Sequence, residues 1–164
     1  MNRSILAIDP GIASSGYALI DSETRKPLSV GKIPNDQILH LIATTNYTRL
    51  SVEMIASYGM AVGAEVFETC VWIGRFIEHH LTHSPAHVEH ALIYRREVKL
   101  HHCQSTKAKD ANITQALIDR FAYGEPNRGK GTKANPGWFY GFAADIWQAY
   151  AIAVLTADTI QEGQ

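Results

Sequence analysis

Three carboxylates stand where strand-like or apolar segments end or begin. Asp9 closes Ile5-Leu6-Ala7-Ile8, Glu53 closes Tyr47-Thr48-Arg49-Leu50-Ser51-Val52, and Asp145 lies in the first turn of an apolar stretch running to about Ile160. Carboxylates brought together repel unless a cation sits between them. Hard oxygen donors select magnesium or manganese. Two such ions, about 3.5–4 Å apart, would clamp the attacking and leaving oxygens of a phosphodiester. Taken singly, each acid has a plainer explanation. Asp9-Pro10-Gly11 is a turn sequence, and Glu53 and Asp145 are acids that a helix N-terminus favours. Only the set of three points to a metal.

The elements that must position them follow from pattern. Residues 5–9 and 14–20 read as strand, tight turn, strand, with Gly11 and Gly16 leaving room for a ligand to approach Asp9. Residues 27–33 would close a meander. Asn35-Asp36 would cap a helix to about Asn46, with Ile38, Leu41 and Ile42 on one face. Residues 47–54 form the next strand. A long helix over 61–81 follows, its core stripe being Val62, Val66, Cys70, Ile73, Ile77 and Leu81. Phe67, Val71, Trp72 and Phe76 fall outside that stripe, which suits either a dimer surface or fuller burial within the domain.

Residues 90–94 read as a strand, 95–103 as a short helix or turn, and 109–122 as a helix. Residues 124–141 form a long loop punctuated by glycine and proline, and 142–160 a last helix with Ile146, Ala149, Tyr150, Ala153 and Ala157 facing the core. Strands first and strand–helix alternation afterwards give an α/β domain with a mixed central sheet. If the first and fourth strands are neighbours, Asp9 and Glu53 lie side by side, and the last helix can bring in Asp145.

Composition sets the frame. The chain has 164 residues, 46% apolar and 19% charged, which fits one domain spanning 1–164. No apolar run approaches the roughly 20 residues of a membrane span, and Met1-Asn2-Arg3-Ser4 is not a signal peptide, so a cytoplasmic location is expected. Cys70 and Cys103 lack metal-ligand spacing and read as buried thiols.

The net charge is only −1, but residues 95–133 hold nine Lys and Arg against four acids, a local +5 that leaves −6 elsewhere. An acidic pole beside a basic face suits a metal-dependent enzyme acting on a polyanion. Arg128, Lys130 and Lys133 lie in the glycine-rich loop and would contact a nucleic-acid backbone. Trp138, Phe139 and Tyr140 read as packing beneath that loop rather than as base-stacking platforms, and Tyr58, close after Glu53, reads the same way. His79, His80, His83, His87 and His90 are irregularly spaced and read as surface residues; His101 and His102 are candidates for phosphate contact that nothing requires.

Ile8-Asp9-Pro10-Gly11, Ser15-Gly16-Tyr17, Val52-Glu53 and Ala144-Asp145, followed by Ala149-Tyr150-Ala151-Ile152-Ala153, together resemble the RuvC family of Holliday-junction resolvases. Val98-Lys99 and the helix after it fit the same pattern, so the likeness runs from about residue 4 to residue 157. Val52–Gly59 and Asn135–Gly141 resemble the versions carried by phages and prophages of Gram-positive bacteria, which would place the chain in a bacterial host cytoplasm. The resemblance implies a ribonuclease H-like fold whose first three strands are antiparallel, flanked by helices. It further implies a homodimer that makes two symmetric nicks across a four-way DNA junction.

It carries over Asp9, Glu53 and Asp145 as catalytic metal ligands for Mg2+, with Mn2+ able to substitute and two ions per site. The family has a further acid three residues after Asp145, where this chain has Gln148. Gln148 is thus a fourth ligand offering only an amide oxygen, and Glu65 or Glu68 are possible substitutes. The family also places a lysine near the scissile phosphate, which here is Lys107 or Lys109, with Lys99 as a further DNA contact.

Three other readings compete. One is a broader ribonuclease H-like nuclease for forks, flaps or structured RNA. Another is a non-catalytic module that binds branched DNA, against which the intact acids argue. The third, an actin-like or sugar-kinase ATPase, needs two such domains and a second phosphate loop, for which this chain is too short.

Overall fold

Strand β1 (Ser4–Asp9) alternates cleanly between two cores. Leu6 and Ile8 pack with Ile38, Ile42 and Phe76 on one face, whereas Ile5 and Ala7 pack with Ile152 and Ala153 on the other. Two helical layers must therefore sandwich this strand. The computed structural model describes residues 3–163; Met1 and Asn2, read from sequence as leading into the first strand, and Gln164 lie outside the described residues.

Five strands form one mixed sheet in the order β3-β2-β1-β4-β5. Strands β2 (Ser14–Asp21) and β3 (Pro27–Pro34) continue antiparallel from β1. Strands β4 (Arg49–Met54) and β5 (Glu89–Tyr94) run parallel to it. The expected antiparallel meander and mixed sheet are thus present, with the first and fourth strands paired. Helices α1 (Asn35–Thr44) and α2 (Ala64–His83) cover one face. Helix α5 (Asp145–Glu162) covers the other, beneath α3 (Arg95–Cys103) and α4 (Asp110–Phe121).

The sequence expectations for α2 and α5 need correction. The buried stripe of α2 is Thr69, Ile73, Phe76 and His80, and Leu81 is exposed. His80 takes the core position because both ring nitrogens have partners, Nδ1 at the Tyr47 hydroxyl and Nε2 at the Val88 carbonyl. It is therefore not a surface histidine. Helix α5 is not one-sided either, since Ile146 to Asp158 are buried all round between the sheet and the two helices above. It also begins at Asp145, three residues later than the apolar pattern suggests. Among the described residues no helix is long and apolar enough to cross a membrane.

Far from β1's acidic end, Asp158 is buried under cations. Arg25 Nε donates to it at 3.0 Å, Arg120 makes a two-pronged contact, and His101 Nε2 lies at 2.7 Å. Burial alone would raise this carboxyl's pKa, but the bonds from His101, Arg120 and Arg25 outweigh it and hold the group far below the usual carboxylate range. His102 is likewise turned inward, with Nε2 on the Ala151 carbonyl at 2.8 Å. Both histidines thus have protein partners, a carboxylate for His101 and a backbone carbonyl for His102. Asp158→Asn is expected to cost about 3 kcal/mol in urea unfolding at neutral pH, since it strands Arg25 without its counter-charge. Because the folded pKa is depressed, this stabilisation is present above about pH 4 and fades as the pH falls, so the cost of the substitution should shrink in acid.

Candidate active site

Strand parity explains why the acids meet. Asp9 follows Ile5 and Ala7 on the α5 face, and Glu53 follows Ser51, whose hydroxyl bonds to Thr156 of α5 at 2.8 Å. The parallel register pairs Ile8 with Val52, so the two carboxylates leave neighbouring strands at the same end and on the same side.

Asp145 arrives from above. In the ladder Asp9 pairs with Gly16, and Gly16 pairs with Lys32. A Cβ on Gly16 would lie 2.7 Å from the Asp145 carbonyl oxygen and 2.9 Å from the Asp145 Cβ. Gly16 is therefore needed to let the start of α5 rest on the sheet, rather than to admit a ligand. Just before it, Ala144 holds φ 40 and ψ −120, a backbone region that suits glycine. Gly16→Ala should lower stability by about 2 kcal/mol and displace Asp145, so urea unfolding and any activity of the site should fall together.

Cationic partners complete the cluster. Lys32 Nζ lies 2.5 Å from Asp145 Oδ2. Arg95, the first residue of α3, reaches inward. Its Nη1 donates to Gln148 Oε1 and lies 3.8 Å from Glu53 Oε2, while its Nη2 pairs with Asp110. At 3.8 Å the contact with Glu53 is an ion pair without a hydrogen bond, and Glu53 Oε2 is buried with no donor at all.

The electrostatics match. Burial, then the charges of Glu53 and Asp145, push the Asp9 pKa up to about 8. Burial also raises Glu53, against the pull of Arg95. When both are ionised, these two largely covered carboxyls carry more negative charge than their surroundings neutralise, and the buried Glu53 Oε2 has nothing to accept. That donor set fits a divalent cation. Among the described residues no three His, Cys, Asp or Glu side chains are grouped so as to hold a metal ion, and the Asp145 carboxylate is paired with Lys32.

The remaining expected residues fall around this cluster. Lys99 lines a groove beside Glu53 with Tyr58, Arg95, Arg96 and Thr106, and its charge acts on Glu53. Lys107 and Lys109 are exposed between α3 and α4, with Lys109 next to Asp110. Glu65 and Glu68 lie exposed on α2, against the opposite face of the sheet.

The loop with Arg128, Lys130 and Lys133 is anchored. Gly137 N–H donates to the Lys130 carbonyl and Phe139 N–H to that of Gly129, while Asn127, Arg128 and Gly129 form a left-handed turn at φ 52, 54 and 81. None of the three cations forms an ion pair among the described residues. Beneath the loop, Phe139 is fully buried and Trp138 stacks on Phe121, which is the packing role expected of them. Tyr140 and Tyr58 are exposed.

Arg95, Asp110 and Lys32 belong to the cluster without having been singled out by spacing, the first two entering only through the charge balance of residues 95–133. A signal for Arg95 existed: it follows Tyr94, and β5 ends level with β4, at Met54 beside Tyr94. A residue just past β5 must therefore emerge beside Glu53.

No protein-family model matches the chain, and no curated protein matches it. Among solved structures it is similar to Thermus thermophilus RuvC, at 14% identity and a TM-score of 0.69, over 98% of this chain and 96% of that one. It is also similar to T. thermophilus RuvC in complex with Holliday junction substrate, at 13% identity and a TM-score of 0.70 over the same shares. The chain has the ribonuclease H-like fold of these RuvC structures along nearly its whole length.

Proposed function

We propose that this chain is a divalent-metal-dependent endodeoxyribonuclease of RuvC type, of the phage or prophage kind. It resolves four-way and related branched DNA junctions through paired nicks and acts as a cytoplasmic homodimer. The observation that carries the reading is the donorless, buried Glu53 Oε2 beside an Asp9 carboxyl pushed up to about 8, on a fold shared with RuvC.

Asp9, Glu53 and Asp145 would hold the metal. When bound, Mg2+ or Mn2+ supplies acidity to the attacking water and neutralises charge on the leaving oxygen. In the hydrolysis the water oxygen bonds to phosphorus, the bond from phosphorus to the 3′ oxygen breaks, and that oxygen takes up a proton. Asp9 must shed its own proton before it can act as a ligand. Lys107 or Lys109 steadies the negative charge that gathers on the phosphoryl oxygens. Lys99, Arg128, Lys130 and Lys133 hold the DNA backbone and carry no base information.

One chain holds one such cluster, so paired nicks need two chains. Exposed Phe67, Val71 and Leu81 give α2 an apolar surface suited to a second copy. The test uses end-labelled four-way junctions, matched linear duplex and forks in Mg2+, Mn2+ or EDTA. Cutting confined to the junction and lost in EDTA supports the reading. Cutting spread over forks and flaps replaces it with a broader structure-selective nuclease. Tight binding without cutting in either metal makes the chain a binding module.

A further inference from the structure

Gln148 stands where the metal site needs another oxygen, yet that oxygen already accepts from a cation. A guanidinium carries only donors, so the amide must present Oε1 to Arg95 Nη1, which seats a positive charge on the one atom of Gln148 that could ligate a cation. Gln148 is itself buried, which fixes this choice. The Arg95 side chain is three-quarters buried, is held by Gln148 and Asp110, and faces Glu53 Oε2 at 3.8 Å. A second divalent ion next to Glu53 would have to evict this guanidinium from both partners.

Charge counting agrees. Once Asp9 has given up its proton to a metal, Asp9, Glu53, Asp110 and Asp145 bring four negative charges, and Lys32 and Arg95, the cations in ion-pair contact with them, two positive ones, with Lys99 farther out. One divalent ion makes the cluster neutral. Two would leave it at +2 in a partly buried setting, which is unfavourable.

We propose that Arg95 supplies the second positive charge of this site, so that the chain binds one divalent ion where the resemblance implies two. Arg95 then serves as a positioning residue, holding Glu53 and Gln148 in place while it occupies the room of the absent ion. This rests on the metal-nuclease reading above and goes beyond it by fixing the number of ions.

The test counts Mn2+ ions by calorimetry and reads their spacing by electron paramagnetic resonance. The wild-type chain should bind one Mn2+ with the spectrum of an isolated ion. Arg95→Gln removes the nearby cation and should tighten that ion about tenfold. Arg95→Gln combined with Gln148→Glu should bind two ions, magnetically coupled. Gln148→Glu alone keeps Arg95 and should still bind one, which separates eviction by Arg95 from simple lack of an acid.

Two coupled ions in the wild type overturn the proposal and leave the nuclease reading standing. So does a single ion in the folded double variant. If the double variant does not fold, two ions in Gln148→Glu alone, or unchanged affinity in Arg95→Gln, overturns it. No Mn2+ binding at millimolar metal overturns it too. Joined to an absence of cutting, that last result removes the nuclease reading as well.

Discussion

Asp9→Asn is expected to abolish DNA cutting, by about a thousandfold or more, while making the metal-free chain more stable. The loss of cutting follows from removing a ligand that the rigid end of β1 holds beside Glu53. The gain in stability follows from linkage. In the unfolded chain Asp9 loses its proton near pH 4, whereas in the folded chain it keeps it to about pH 8. The folded state is therefore favoured by this group in acid and loses that advantage as the pH rises from about 4 to about 8. Asparagine carries no such penalty. In urea unfolding without metal, Asp9→Asn should match the wild type near pH 4 and exceed it by about 3 kcal/mol above pH 8. Mg2+ should stabilise the wild type and leave Asp9→Asn nearly unchanged. A variant that is less stable at alkaline pH would show that Asp9 is paired rather than strained by its neighbours.

Metal affinity should be steeply pH-dependent for the same reason. Below about pH 8 the cation must displace a proton from Asp9, so apparent Mg2+ affinity should rise about tenfold per pH unit and level off above that point. At subsaturating Mg2+, cutting between about pH 6 and pH 8 should rise roughly 100-fold, and saturating metal should flatten the profile. The measurement is a cutting rate taken over a grid of pH and Mg2+ concentration. A flat profile at low metal would mean that Asp9 enters the folded site already ionised.

The sequence was legible where one residue answers to one local cause. Ile5 to Asp9 alternates, ends on an acid and meets Pro10-Gly11, so the strand, its turn and its carboxylate could all be read. The same holds for Glu53 at the end of β4. Asp145 was legible as an acid, but its setting was not. That setting depends on Gly16, whose missing side chain makes room for a helix start more than a hundred residues away. Helix α5 misled in the same way, because burial on every side erases the one-sided pattern from which a packed face is read. His80 was hidden by type, since a histidine in a polar run looks solvated until Tyr47 and Val88 are brought to both its nitrogens. Arg95 was counted as part of a basic surface, although its partners, Glu53, Gln148 and Asp110, come from three separate elements. Its place just past β5 was a clue to its position, but the pairing with these partners leaves no mark in local spacing.

Junction resolution itself is best tested on a supercoiled plasmid that extrudes a cruciform. A single nick releases the supercoiling and lets the cruciform reabsorb, so only two cuts made within one binding event yield linear DNA. The account predicts Mg2+-dependent conversion of supercoiled to linear plasmid with little nicked circle, cuts placed symmetrically across the junction, and no conversion in EDTA or with Asp9→Asn. Supercoiled plasmid left intact at saturating protein and metal, or cutting that ignores the cruciform, would contradict it.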